Sequence, residues 1–462
     1  MPVARRSRPS RPSTLRRPLA VVLLAVVAAL VAVAPAQAAR WLDRRVINMT
    51  HQGGEREHPS GTMYALRESL ALGADTLELD VQPTRDGTLM VLHDQSVKRT
   101  TGVDRSVYEM TRAEVQRLDA AFNFVPGRGT VAGLKADAYP LRGVRTGHRP
   151  PPLGYRPDDF RIPTLEEVLR AFPNVPMNIE IKGRSDSDTD SFLRNADLLA
   201  TTLRRVPHPP VIVASFQQAA LDRFHGLMPD VPLAPGITGV ALFLATGLTP
   251  PGSQALQVPP TQFGITLVTH EFVTRAHAMG LAVHVWFSGQ EESDRVYRRM
   301  LDLGVDGLMP AAPRALERVL CERGVSRPPG NPNHCGGGRR EADARCAAAP
   351  TTVSRTTERD GRAVATVSLT RQEPDVRFAC TGAVRLRAIA GKRPRGNPPA
   401  RAPLGAAAFR FPYGVRQVDV DVPLGPRTTR RLRRKPRRIV GVAMARVDGQ
   451  DRDRMLRATV RP

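Results

Sequence analysis

The stretch from Gly73 to Asp94 reads GADTLELDVQPTRDGTLMVLHD, and its alternation decides the fold. Leu77 to Val81 is a short apolar strand interrupted by Glu78 and Asp80. Side chains two apart on a strand share a face, so the two acids point one way and Leu77, Leu79 and Val81 the other. Carboxylates on an inward face need a partner, because unpaired buried charge is costly. A hard divalent cation is the usual one. Asp86-Gly87 then signals a tight turn, and the return run from Leu89 to Leu92 brings His93-Asp94 back beside the acids. A hairpin with a solvent-facing acidic side is the other reading of these residues alone.

Working outward, strands and helices alternate up to about Arg323. The apolar patterns predict strands at Val46–Met49, Met177–Ile181, Val211–Ala214, Val231–Ala234, Ala255–Val258, Ala282–Trp286 and Gly307–Met309. Helical spacing marks Met63–Leu72, Thr111–Leu118, Phe272–Met279 and Ala315–Leu320, and Thr164 with Glu167 forms a capping box that opens a further helix. With the central hairpin counted once, about eight βα units result, which predicts a TIM barrel, (β/α)8. A doubly wound open sheet is the runner-up. Residues 123–162 form a Gly- and Pro-rich insertion of the length that is functional or mobile in most proteins.

The 462 residues suit a barrel-sized unit plus a small one. Residues 1–38 read as a signal peptide. Six arginines precede an apolar run from Leu19 to Val33, and Ala36-Gln37-Ala38 is a small-residue cleavage site. An exported, cell-surface or secreted protein is therefore expected, with an uncleaved anchor as the alternative. The barrel is assigned to residues 39–323, a Pro/Gly-rich linker to 324–345, and a basic β domain to 346–462. In that last part short strand-like runs alternate with Pro and Gly, which predicts a small all-β, sandwich-like domain. The run Arg430–Arg438 is read there as a solvated turn or edge.

Charge separates the two parts. The chain carries a net +24. Residues 351–462 hold 26 Lys and Arg against 9 Asp and Glu, whereas the barrel segment is close to neutral. A basic module of this kind fits an anionic wall or membrane surface; no nucleic-acid partner is expected. The four cysteines lie at 321, 335, 346 and 380. In an exported chain they predict two disulfides, assigned by proximity as Cys321–Cys335 and Cys346–Cys380. A zinc site is the alternative, although no CxxC element is present.

In the barrel reading the candidate chemistry gathers at the C-terminal ends of the strands. His51 follows the first strand, Glu78 and Asp80 end the second, and Glu180 and Lys182 end the next. Three carboxylates suit Mg²⁺ or Ca²⁺. Two histidines beside them suit acid–base work in phosphoryl transfer, and a lysine suits charge building on phosphorus.

The ordered set HQGG at 51–54, ELDV at 78–81, HD at 93–94, IPTLEEVL at 162–169 and EIKG at 180–183 resembles the glycerophosphodiester phosphodiesterase family over about residues 44–320. The resemblance implies metal-dependent hydrolysis of a glycerophosphodiester to glycerol phosphate and an alcohol. It implies that His51 and His93 are the acid–base pair, that Glu78, Asp80 and Glu180 are metal ligands, and that Lys182 lies near the phosphate. The glycerol hydroxyl would be able to attack phosphorus first, giving a cyclic phosphate that water opens. Gln52 and Trp286 are read as substrate-binding. Two departures stand out: Gln52 where the family commonly has arginine, and Ser60-Gly61-Thr62 where it often has Glu-Asn-Thr. The other functions left open are a related barrel phosphodiesterase acting on intact phospholipids or wall polymers, and a weakly active wall-binding protein.

Overall fold

The structure is a computed structural model that describes residues 41–44, 46–287, 292–326, 348–359, 362–371, 380–388, 403–434, 439–448 and 454–460. The expected signal peptide and most of the expected linker lie outside the described residues. Among the described residues no helix is long and apolar enough to cross a membrane.

Eight parallel strands form the barrel: β1 (Ile47–Thr50), β2 (Thr76–Pro83), β4 (Met177–Ile181), β5 (Val211–Ala214), β6 (Leu233–Ala234), β7 (Ala255–Val258), β8 (Ala282–Trp286) and β9 (Gly307–Met309). Strand β3 (Leu89–Val91) folds back antiparallel on β2. Consecutive barrel strands pair from β1 to β6 and from β7 to β9, and β1 pairs with β9. A parallel bridge between Leu233 and Ser253 brings β6 against the start of β7, so the ring nearly closes. The strand order never reverses, which removes the doubly wound alternative.

Helices α1 (Met63–Leu72), α2 (Leu165–Ala171), α3 (Thr189–Arg205), α4 (Gln218–Leu227), α5 (Ile237–Thr246), α6 (His270–Ala278), α7 (Asp294–Asp302) and α8 (Pro313–Glu322) surround it. The alternation in β2 explains the layering. Leu77, Leu79 and Val81 face outward and are buried with Leu66 and Leu70 of α1 and Val168 and Leu169 of α2. Burial of each such side chain contributes about 1.5–3 kcal/mol. Inward, Ile47, Met49, Ile212, Ala255, Ala282 and Met309 pack with Trp41. The Thr164–Glu167 capping box is present at the start of α2.

The insertion at 123–162 is a folded cap. Tyr139, Val144 and Phe160 are buried. The Arg142 guanidinium lies 3.6 Å from the Tyr139 ring centroid and 4.0 Å from that of Phe122. Phe160 stacks on Tyr64 of α1 at 4.7 Å, which fixes the cap to the barrel.

Beyond the barrel, β10 (Ala348–Arg359), β11 (Arg362–Arg371) and β14 (Gln417–Pro423) form one antiparallel sheet. β12 (Cys380–Ala388), β13 (Pro403–Phe411), β15 (Ile439–Val447) and β16 (Arg454–Val460) form another. Along β14, Val418, Val420 and Val422 are buried and the residues between them exposed. They share one core with Val384, Leu386, Phe409 and Phe411 of the second sheet, which makes the region sandwich-like. The basic run differs from its expected form. Its first part lies in a helix, α9 (Pro426–Arg434), because Leu432 docks into the β core; residues 435–438 are not described. Arg410 of β13 pairs with Glu68 of α1 at 2.8 Å, and Arg67 donates to the Tyr413 carbonyl at 2.6 Å. No described cysteine is a free thiol. Cys335 and Cys346, and so both expected pairings, lie outside the described residues.

Candidate active site

Strand register assembles the acids. Asp80 of β2 stands directly beside Glu180 of β4, and Glu78 beside Asn178. Glu78 and Asp80 are buried. One carboxylate oxygen from each of Glu78, Asp80 and Glu180 lies within 4.8 Å of the others. Lys182, one pleat beyond Glu180, brings its Nζ to 2.7 Å from Glu180 and 3.2 Å from Asp80. Even so, the second Asp80 oxygen, Oδ2, is buried without accepting a hydrogen bond. Burial first, then the charge of Asp80, pushes Glu78 up to about 8. Burial also raises Glu180. Asp80 is held low: burial opposes this, but Lys182 and the two histidines outweigh it. The orphaned Asp80 oxygen, the hard donors and their mutual repulsion together fit a divalent cation.

The histidines enter from two loops. β1 ends in a tight turn, His51–Gly53, followed by Gly54. Gly53 and Gly54 have φ of 78° and 77°, and a side chain at Gly54 would meet the Pro313 ring at 2.7 Å. His51 Nδ1 contacts Glu55 Oε1 at 2.7 Å. Burial lowers the His51 pKa, but Glu55, then Glu78 and Asp80, carry it up to about 10. His93 Nδ1 contacts Asp94 Oδ1 at 2.7 Å. Each imidazole is thereby tethered at Nδ1 by a carboxylate, which leaves Nε2 for chemistry.

Gln52 between them has a left-handed backbone, φ 47°, rare for a residue with a side chain. Its N–H donates to Glu78 Oε2 at 2.8 Å, which orients that ligand. Its side-chain oxygen accepts from Ser60 Oγ at 2.5 Å and from Arg99 at 3.4 Å. Arg99 in turn holds Asp94 at 2.5 Å. The two sequence departures, Gln52 and Ser60, therefore touch each other, and a polar chain runs from them through Arg99 and Asp94 to His93. Asn123, at the edge of the insertion, ties the Arg99 carbonyl at 2.9 Å.

A cavity of about 690 Å³ opens over these groups. His51, Glu78, His93, Glu180, Lys182 and Trp286 line it. Asp80 is buried beside Lys182, and the Gln52 side chain turns away from the lining toward Ser60. Phe216 meets Trp286 edge-on at 5.8 Å and lies 5.4 Å from Lys182 Nζ. The sequence reading missed Glu55, whose i,i+4 spacing from His51 was its signal. It also missed Asn178 and Gln257 on the floor, hydrogen-bonded at 2.8 Å. Nor did it see Gln82 and Asn195, which hold the His93 and Lys182 carbonyls at 3.1 and 2.6 Å; nothing local marks these last two.

Residues 51–313 match the model of the glycerophosphoryl diester phosphodiesterase family. The chain belongs to that family. Its members are phosphoric diester hydrolases. It is 28% identical over 274 residues to a glycerophosphodiester phosphodiesterase of Bacillus altitudinis, covering 57% of this chain and 93% of the relative. It is 25% identical over 312 residues to a lysophospholipase D of Rattus norvegicus, covering 61% and 87%. Among solved structures it is similar to an Oleispira antarctica phosphodiesterase in complex with sn-glycerol-3-phosphate, at TM-score 0.43 and 18% identity, covering 59% and 95%.

Proposed function

We propose that this protein hydrolyses glycerophosphodiesters to glycerol phosphate and an alcohol, with Mg²⁺ or Ca²⁺ held by Glu78, Asp80 and Glu180. The observation that carries this is the cluster of three close carboxylates, one Asp80 oxygen of which is buried without a partner, flanked by two carboxylate-tethered histidines. The cation supplies charge to a phosphoryl oxygen when bound. His51 and His93 divide the proton work: one takes a proton from the attacking hydroxyl, the other gives one to the departing alkoxide. Glu55 and Asp94 fix the imidazoles at Nδ1 so that each Nε2 faces the cavity. Lys182 stabilises negative charge growing on phosphorus. Gln52 acts through its backbone, by setting Glu78, more than through its side chain.

The test is a panel of glycerophosphodiesters differing in alcohol, run with each metal and with a chelator, beside His51→Ala and His93→Ala. Each variant should lower kcat by on the order of 10²–10⁴. A rise in KM alone would reduce the histidines to binding groups. We further propose that the chain acts outside the cytoplasm, after export on residues 1–38, and that the basic C-terminal region holds it to an anionic wall or membrane surface. The reading rests on the N-terminal sequence pattern and on the separation of charge between the two parts. Salt-reversible co-sedimentation of the full chain with anionic vesicles or wall fragments tests the second claim, and cell fractionation the first.

A further inference from the structure

His93 reaches the cavity from the loop after β3 and Lys182 from the end of β4, yet one set of side chains holds both backbones. Gln82, on β2 just past Asp80, is buried. Its Nε2 donates to the His93 carbonyl at 3.1 Å and to the Gly183 carbonyl at 3.4 Å. Its Oε1 accepts from the Tyr108 hydroxyl at 2.8 Å. That hydroxyl accepts in turn from Nδ2 of Asn195, a buried residue of α3, at 3.0 Å. The same Nδ2 donates to the Lys182 carbonyl at 2.6 Å. The bonds close a circuit: Gln82, Tyr108, Asn195, the backbone from Lys182 to Gly183, and back to Gln82. Its direction is fixed. Both amides must aim N–H groups at backbone carbonyls, which only accept, so the Tyr108 hydroxyl donates to one amide and accepts from the other. The Arg184 guanidinium lies 5.1 Å from the Tyr108 ring centroid and steadies it. His93 and Lys182 line the cavity, but Gln82, Tyr108 and Asn195 do not. Apolar side chains would pack α3 on the barrel with less desolvation. What the polar circuit adds is a fixed span between two loops.

We propose that Gln82, Tyr108 and Asn195 are positioning residues that hold His93 and Lys182 in one mutual geometry. Proton transfer by His93 and charge stabilisation by Lys182 then meet at the same phosphorus. The inference rests on the roles given to His93 and Lys182 above and adds that the two groups do not act independently. A displacement of about 1 Å at either one can cost on the order of 10²-fold in rate.

The test is steady-state turnover of glycerophosphocholine by the full-length, metal-loaded protein. Tyr108→Phe deletes one oxygen, opens the circuit at its centre and keeps the aromatic face beside Arg184. It should lower kcat by about tenfold, with KM and the melting temperature little changed. Gln82→Met opens the same circuit, so adding Tyr108→Phe to it should cost less than about twofold more. In a His93→Ala background the loss from Tyr108→Phe should shrink below about threefold, because a group that it positions is gone. Unchanged kcat in Tyr108→Phe overturns the positioning role, as does an equal fold loss with and without His93. A large loss in His93→Ala beside an unchanged Tyr108→Phe rejects this inference alone. Full kcat in His93→Ala rejects the acid–base reading itself, and the inference falls with it.

Discussion

The two walls of the cavity are built by different means. The polar wall comes from adjacent strands, where the β2–β4 ladder fixes Asp80 beside Glu180. The apolar wall comes from α5 and the hairpin at residues 261–266, whose side chains are half or fully exposed at the lip. The strands place charge to within a hydrogen-bond length, at the cost of crowding three carboxylates, two of them buried. The helix and hairpin place bulk and contact, where small shifts matter little. Charged and apolar linings thus occupy separate sides of one cavity, and substitutions on the two sides should fail in different ways.

The largest effect should come from Asp80→Asn or Glu180→Gln, with turnover falling by at least on the order of 10³. The melting temperature of Glu180→Gln should stay level or rise, because burial and Asp80 disfavour that charge; Asp80→Asn should lower it modestly, because it takes a partner from Lys182. Lost activity accompanied by unfolding would make the cluster structural. Glu55→Gln should be milder, lowering kcat by roughly 10–100-fold as an orienting partner of His51, with KM little changed; a change confined to KM would place Glu55 in binding. Gln52→Ala keeps the N–H on Glu78, so its activity should fall less than tenfold, as measured by kcat/KM on a soluble diester. A larger loss would show that the side chain, with Ser60 and Arg99, contributes to the chemistry.

The smallest effect concerns stability at low pH. Burial pushes His58 down to about 4 and His284 to about 3. Both are therefore neutral when folded, while the unfolded chain takes up protons near pH 6.5. Their contribution to stability is complete above about 6.5 and is lost as pH falls toward 4 and 3. Urea unfolding between pH 7 and 4 should show the decline, and His58→Gln should flatten it.

Much of this arrangement was legible in the sequence. Period-2 alternation in ELDV gave the inward acids, and β4, β5, β7, β8 and β9 fell where the apolar runs stood. The misses have physical causes. Helix α5 is apolar nearly all round, so it shows no helical period. Strand β6, expected over Val231–Ala234, was found but occupies only the last two of those residues. Helix α3 did carry a signal, with Phe192, Ala196, Leu199 and Leu203 on one buried face behind the Asp188 cap. Gln82 and Asn195 act through contacts 11 and 13 residues away in sequence, and only the fold brings them to their carbonyls. The meeting of Gln52 with Ser60 and Arg99 is likewise tertiary.

The most direct test of the central claim is turnover of glycerophosphocholine by the full-length protein stripped with EDTA and then titrated with Mg²⁺ or Ca²⁺, beside Asp80→Asn treated identically. The wild type should lose activity on stripping and regain it with one of the ions, and the variant should stay inactive throughout. Undiminished turnover in EDTA, or full activity in Asp80→Asn, would contradict it.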